Sequence, residues 1–322
     1  MRSRGAGRLA AASLAAILAG CALGPPAPGG FRFAVMGDTP YNAREERAFV
    51  AMIARLDREP IAFAIHVGDI KAGGNAPCTD EVFLRRKADF ERSAHPIVLT
   101  PGDNDWTDCR RASNGAMDPI ERLARLREIF FAGAFALGRE KLATRAQTQC
   151  IAPPIPGCGC AAHPENRSWV RSGVVFATVN VPGSNDNVGY DAANDAEARC
   201  RGEANREWLE EAARLAQQPD ARGLVVALQA DPWAAKTSVY APLLAHVAAI
   251  ARRLGKPVLF VHGDTHAYRL DNPFRDAAGA PIDNLTRLET YGSPFVGWVE
   301  VTVDPADPAL FRFQPHLEAL LP

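Results

Sequence analysis

The 322-residue chain is 47% hydrophobic, 23% charged and 8% aromatic, ordinary values for a folded protein that exclude a disordered or collagen-like chain. Lysine plus arginine number 36 against 37 aspartate plus glutamate, a formal charge of -1, so no global basic field holds nucleic acid or an anionic membrane surface. Any ligand has to be held locally, by particular side chains.

The first thirty residues stand apart. Arg2, Arg4 and Arg8 precede an uncharged run from Leu9 to Gly20, shorter than the ~20 apolar residues that span a bilayer. The pattern reads as an export signal over 1–20. Its end, Leu18-Ala19-Gly20-Cys21, resembles the lipobox of bacterial lipoproteins. That resemblance implies cleavage before Cys21, acylation of its thiol, and a chain anchored by that lipid at the bacterial cell envelope, facing the periplasm or the exterior. Cleavage removes three arginines and no acid, leaving 33 basic against 37 acidic residues and a net charge of -4. Residues 21–30, rich in proline and glycine, read as a tether. Residues 31–322 show no internal repeat and no linker, and read as one monomeric domain.

Within that domain, short apolar runs alternate with helical patterns. Phe31 to Met36, Ile61 to Val67, Ile97 to Thr100, Val174 to Asn180, Leu224 to Gln229 and Pro257 to Val261 have strand length and are mostly rich in Val, Ile and Phe. Between them, Phe49, Met52, Ile53 and Leu56 repeat at helical spacing, as do Ile120, Leu123, Leu126 and Phe130 after the cap and first-turn pair Asp118-Pro119. A late helix runs from about Ser238, with Gly255 placed to stop it. Trp298 to Val303 and Leu310 to Phe313 look like a closing hairpin. Such alternation argues for an α/β domain whose sheet faces are covered by helices. Loops 71–80, 104–117, 184–200 and 231–240 are left to shape any pocket.

Six cysteines follow Cys21: Cys78, Cys109, Cys150, Cys158, Cys160 and Cys200. An even number in a compartment that permits oxidation favours three disulfides over a metal knuckle at Cys158-Gly-Cys160. Cys78 with Cys109 is the favoured pair, and the other four would staple the segment from 150 to 200.

Several strand-like runs end directly in an acid-bearing turn: Gly37-Asp38, Gly68-Asp69, Gly102-Asp103-Asn104-Asp105 and Gly263-Asp264-Thr265-His266. One Gly-Asp turn means little. In an open α/β sheet, however, the carboxyl ends of strands share an edge, so these distant acids would converge on one crevice. Carboxylates gathered at one point repel each other unless cations sit among them, and convergence therefore predicts metal.

The order of these stations resembles the calcineurin-like metallophosphoesterase superfamily, whose motifs run D-x-H, G-D, G-N-H-[DE], a strand ending in His, and G-H-x-H. The corresponding residues are Asp38-Thr39-Pro40, Gly68-Asp69, Gly102-Asp103-Asn104-Asp105, Leu228-Gln229-Ala230-Asp231-Pro232 and Gly263-Asp264-Thr265-His266. The resemblance implies a four-layer αββα sandwich of two mixed sheets flanked by helices. It also implies two divalent ions bridged by Asp69, and hydrolysis of a small phosphorylated substrate, a phosphomonoester or phosphodiester, by a metal-bound hydroxide. On that basis Asp38, Asp69, Asp103, Asp264 and His266 are the expected metal ligands, with an oxygen from Gln229 or Asp231. Asn104, Asp69 and His266 are the expected catalytic residues.

The departures matter as much. Pro40, Asp103, Asn104 and Asp264 replace residues that the superfamily motifs give as His, Asn, His and His, and the strand-end His is absent. Exchanging imidazoles for oxygen donors makes the site harder, favouring Mn²⁺ or Mg²⁺, admitting Ca²⁺ and disfavouring Zn²⁺. Losing a proton donor at position 104 costs about 100-fold or more in general acid catalysis, although an amide there still donates a hydrogen bond to a phosphoryl oxygen. A catalytically eroded envelope lipoprotein that binds metal or a phosphorylated ligand is the alternative.

His66 and His262, inside strand runs, read as packed or supporting residues, and His95, His163, His246 and His316 as surface or structural. Tyr41 and Trp106 flank the first and third stations, either walling a pocket or packing beneath the loops. Arg110 and Arg111 read as a solvated pair and Gly183-Ser184 as a turn. No G-x-S-x-G elbow and no phosphate-binding Gly-rich loop is present.

Overall fold

The computed structural model describes residues 26–149, 157–158, 161–234, 239–276 and 278–318. The expected export signal, the expected lipid attachment at Cys21, Cys150, Cys160 and the expected helix start at Ser238 lie outside the described residues. Two mixed sheets form the centre. Strands β1 (Phe31–Met36), β2 (Ala64–His66) and β3 (Ile97–Leu99) run parallel in one, with β11 (Gly297–Val303) and β12 (Phe311–Leu317) added antiparallel, in the order β12-β11-β1-β2-β3. The second has seven strands in the order β4-β5-β6-β7-β8-β10-β9. Its parallel heart is β6 (Val174–Thr178), β7 (Gly223–Ala227), β8 (Val258–His262) and β10 (Leu285–Glu289). Strands β4 (Arg145–Gln147), β5 (His163–Arg171) and β9 (Arg269–Asp271) are antiparallel at its edges.

Side-chain alternation explains the layers. Phe33 and Val35 of β1 face Phe176 of β6, Val225 of β7 and Leu259 of β8 in the core between the sheets, where Phe63 meets Phe33 at 5.4 Å and Phe176 at 5.1 Å between ring centroids. The alternate residues Ala34 and Met36 face outward onto helices α1 (Ala43–Leu56), α2 (Asp80–Phe90) and α3 (Pro119–Phe130). Val175, Val226 and Phe260 do the same on the other sheet beneath α4 (Ala192–Ala216) and α5 (Ala241–Leu254). Strands buried on both faces read as continuous apolar runs, which is how the sequence shows them. The expected αββα sandwich is borne out.

Asp118 accepts hydrogen bonds from Ile120 N and Glu121 N with Pro119 in the first turn, and Gly255 takes φ 63° just past α5. Both ends follow the sequence signals. Two helices escaped the reading. Helix α2 buries only Phe83, Arg86 and Phe90. Helix α4, whose start falls in a segment expected to be loop, buries Ala198, Ala204, Ala212, Ala213 and Ala216 beside Trp208 and Leu209. An inner face made of alanine, arginine and asparagine carries little hydrophobic periodicity, although alanine favours helix by propensity. Strand β10 also escaped, because buried Arg287 and Glu289 interrupt its apolar pattern.

Cys78 and Cys109 are bonded, as expected, and Cys158 pairs with Cys200 across the 150–200 segment. Two disulfides point to an oxidising compartment outside the cytoplasm. No helix among the described residues is long and apolar enough to cross a membrane.

Candidate metal centre

Each station sits beyond the carboxyl end of a parallel strand: Asp38 after β1, Asp69 after β2 and Asp103 after β3 in one sheet, then Gln229 after β7 and Asp264 after β8 in the other, where the Gly183 turn after β6 joins them. The two sheets are stitched together here. Asp38 Oδ1 accepts from Asp264 N at 3.0 Å, Asp38 O accepts from Ser293 N at 2.8 Å, and Thr100 Oγ1 donates to Val179 O at 3.1 Å. Residues separated by more than two hundred positions thus share one rim.

The backbone is strained at the same places. Asp38 (φ 51°), Asp69 (φ 57°), Asp264 (φ 80°) and His266 (φ 63°) all occupy the left-handed region, which costs of order 1–3 kcal/mol at a non-glycine residue and gathers at functional sites. Glycines let the loops close on the carboxylates. A Cβ on Gly263 would lie 2.0 Å from Asp38 Oδ2, and one on Gly102 would lie 2.0 Å from Asp69 Oδ1.

Two halves make up the site. In the first, Asp69 Oδ2 accepts from Tyr41 Oη at 2.9 Å and from Asn104 Nδ2 at 2.7 Å, while Asp69 Oδ1 accepts from Asn104 N at 3.0 Å. Asn104 Nδ2 also donates to Tyr41 Oη at 2.9 Å, and Tyr41 Oη lies 3.3 Å from His266 Nε2. His266 Nδ1 is 2.6 Å from Ser293 O, an acceptor, so Nδ1 carries the proton and Nε2 faces Asp38 Oδ1 at 4.0 Å with its lone pair.

In the second half, Gln229 Nε2 donates to Asp103 Oδ1 and to Asp264 Oδ1, each at 3.2 Å, and Ser184 Oγ lies 2.7 Å from both Asp103 Oδ2 and Asp108 Oδ1. No three of Asp38, Asp69, Asp103, Asp264 and His266, among the described residues, bring ligand atoms mutually within 4.8 Å. The amide and hydroxyl donors of Tyr41, Asn104, Gln229 and Ser184 stand among the oxygens.

The donor chemistry suits cations, although three of these side chains have to close in before they share one ion. Asp38 Oδ2 is fully buried and has no hydrogen-bond partner. Burial, then the charge of Asp264, holds the Asp38 carboxyl well above the usual range; burial, then Asp103 and Asp38, does so for Asp69. Asp264 is pushed up to about 7 by burial and by Asp103. Acids that raise one another in this way relax when positive charge arrives.

Several expectations are resolved by geometry. Gln229 enters the site but not as an oxygen donor: its Oε1 accepts from Gly183 N at 2.6 Å, which turns the amide nitrogen inward. Asp231 turns away altogether. Its Oδ2 meets Arg269 Nη1 at 3.1 Å and its Oδ1 caps Trp233 N at 2.9 Å, leaving only its backbone N on Asp264 Oδ2. Asp105 staples the loops, accepting from Asp69 N, Ile70 N and Gly102 N.

Tyr41 lines the site, whereas Trp106 is buried beneath it under the Arg201 guanidinium, 5.3 Å from the ring centre. His66 is packed, with Nδ1 accepting from Gly68 N at 3.2 Å. His163 is buried beside Arg127 rather than on the surface. Arg110 and Arg111 are not simply solvated: one lies 3.2 Å over the Tyr190 ring and the other pairs with Asp108 at 2.6 Å.

Sequence reasoning missed two contributors. Ser184 opens a run through Asn187 in which four non-glycine residues have positive φ, an arrangement held by Arg201 on Asp186 and by Tyr240 Oη on Pro182 O and Asp186 N. Lys71, almost fully buried beside Asp105 and Asp69, donates to Ala72 O and leaves one cation near the acids. The only sequence signals were Gly183-Ser184-Asn185-Asp186-Asn187, rich in residues that tolerate left-handed backbone, and a lysine two residues after Asp69.

No family model and no curated protein matches this chain. Among solved structures, GAP50, the anchor in the inner membrane complex of Plasmodium, aligns with a TM-score of 0.52 at 9% identity, over 90% of this chain and 89% of that one. Vacuolar protein sorting 29 from Cryptosporidium parvum aligns over 90% of this chain and 98% of its own at 10% identity, with a TM-score of 0.29, too low to carry an argument. The first likeness is one of fold alone.

Proposed function

We propose that the domain is a metal-dependent phosphoester hydrolase acting outside the cytoplasm. One observation carries the reading. Asp38, Asp69, Asp103, Asp264 and His266 leave five positions on two sheets for one rim, with Asp38 Oδ2 buried and unpartnered among them. With their side chains drawn inward, Asp38, Asp69 and His266 would hold one divalent ion and Asp69, Asp103 and Asp264 a second, with Mg²⁺ or Mn²⁺ suited to a set of oxygens and a single nitrogen. Bound ions supply charge for the phosphoryl oxygens and lower the pKa of a water nucleophile.

The chain's own residues do the rest. Asn104 spends both amide hydrogens on Tyr41 and Asp69; releasing either one lets it donate to a phosphoryl oxygen. Tyr41 holds a hydroxyl proton between Asp69 and His266. His266 is fixed by Ser293 O in the tautomer that offers Nε2.

Purified protein loaded with Mn²⁺ or Mg²⁺ is expected to cleave an activated aryl phosphate mono- or diester, and Asp69→Asn is expected to abolish turnover. Absence of turnover with every divalent ion overturns the reading. The second reading, an eroded envelope protein that binds metal or a phosphorylated ligand, is favoured by Gln229 Nε2 standing between Asp103 and Asp264 where an ion would sit. Calorimetric titration separates the two: two tightly held ions support the hydrolase, and one weak ion supports the binder.

A further inference from the structure

A second cluster lies behind the exits of β7, β8 and β10, apart from the ligand set above. Asp231 follows β7, His262 ends β8 and Glu289 ends β10. One ligand atom from each lies within 4.8 Å of the other two, and all three residues are buried.

His262 is 0% exposed. Its Nδ1 is 2.9 Å from Gly263 O, an acceptor, so Nδ1 carries the proton; its Nε2 has no hydrogen-bond partner. A buried imidazole with one nitrogen fixed by a backbone carbonyl and a free lone pair on the other is prepared to ligate.

Arg269 covers the cluster. Its Nη1 lies 3.1 Å from Asp231 Oδ2 and 3.1 Å from Thr265 Oγ1, and it pairs with Glu289 Oε2. Arg287, 4.0 Å from Asp231 Oδ1, is held instead by Asp271. The Arg269 side chain is 41% exposed, so the guanidinium can swing into water. A divalent ion would then set two charges where the guanidinium sets one, and would take the His262 nitrogen that Arg269 leaves unused.

We propose that Asp231, His262 and Glu289 form a third cation site for a borderline transition metal of the Zn²⁺ or Co²⁺ class, with Arg269 as the internal cation that competes for it. One imidazole nitrogen and two carboxylates, with the Arg269 side open, match the three-ligand sites such ions occupy. Through Asp231 N on Asp264 Oδ2 the ion would also steady the neighbouring centre.

The test uses the full chain carrying Asp38→Asn and Asp69→Asn, which disables the first centre, titrated with Zn²⁺ by calorimetry and with Co²⁺ by visible absorption. One Zn²⁺ per chain is expected, with a Co²⁺ spectrum of low-symmetry nitrogen–oxygen coordination. Adding Glu289→Gln should weaken Zn²⁺ at least tenfold. Adding Arg269→Gln should tighten it about tenfold, an arm that does not alter a buried ligand. No Zn²⁺ uptake in the parent, or affinity indifferent to both changes, overturns the proposal. Turnover by the unmodified protein is read separately, so failure of the hydrolase reading is distinguishable.

Discussion

The Tyr41 hydroxyl lies 2.9 Å from Asp69 Oδ2, an oxygen that Asn104 Nδ2 also reaches at 2.7 Å. Replacing the phenol therefore removes one of the two donors to this oxygen and one of three to the buried carboxylate. Tyr41→Phe is expected to destabilise the metal-free protein by about 1–3 kcal/mol, and to lower kcat of the metal-loaded protein more for poor leaving groups than for activated ones. Urea denaturation and a leaving-group series check the two halves.

Asp69→Asn should do the opposite to stability. Asp69 is raised by burial and then by the charges of Asp103, Asp38 and Asp105, so a neutral amide relieves repulsion in the metal-free protein. A higher melting temperature together with lost turnover is expected; a lower one would show that the carboxylates do not repel as the geometry requires.

Metal stabilisation should grow with pH. Asp38, Asp69 and Asp264 have raised folded pKa values, Asp264 to about 7, so the folded state binds more protons than the unfolded state from about pH 4 upward. Their contribution is fully present below the unfolded carboxylate pKa and is lost as pH rises through the raised folded values, which for Asp264 is about 7. Bound Mn²⁺ or Mg²⁺ replaces those protons, so the melting-temperature gain from metal should be small at pH 5 and large at pH 8. His66 and His262, lowered to about 3 and about 4 chiefly by burial, act in the other direction. Each makes the folding constant fall by up to about tenfold per unit as pH drops below 6.5, with or without metal, and His66→Gln should remove one such proton from the acid limb of the stability profile.

Gly263→Ala should uncouple folding from metal binding. Its Cβ would fall 2.0 Å from Asp38 Oδ2 and 3.1 Å from Val67 Cγ2, displacing the unpartnered Asp38 oxygen. Circular dichroism is expected to show a folded chain, and calorimetry to show affinity reduced at least tenfold.

Breaking Cys78–Cys109 should affect the site as well as stability. The bridge spans a sequence separation of 31, which loop-closure entropy values at about 4 kcal/mol. It ties the loop after Asp69 to the turns after Asn104. The double Cys→Ser change is expected to weaken metal binding, whereas the same change at Cys158 and Cys200, which ties the 150–200 segment, should lower stability alone.

The sequence by itself determined the parallel strands and their acid-bearing exits, because strand burial and Gly-Asp turns are written in local pattern, and it favoured Cys78 with Cys109 without fixing the connectivity. It also put Asp38, Asp69, Asp103, Asp264 and His266 on one rim, since parallel strands must end together. Only the tertiary structure decided that Gln229 enters with its nitrogen forward, that Asp231 turns to Arg269, and that Tyr41 rather than Trp106 reaches the centre. Those outcomes depend on which distant group each side chain meets: Gly183 N, after the neighbouring strand β6, for Gln229, and Arg269 Nη1 for Asp231. Chain neighbours carry no record of such meetings. The left-handed turn at Ser184 and the helix from Ala192 were hidden for the same reason. Arg201 and Tyr240 hold the turn from distant positions, and an alanine-lined face packs without leaving a hydrophobic stripe.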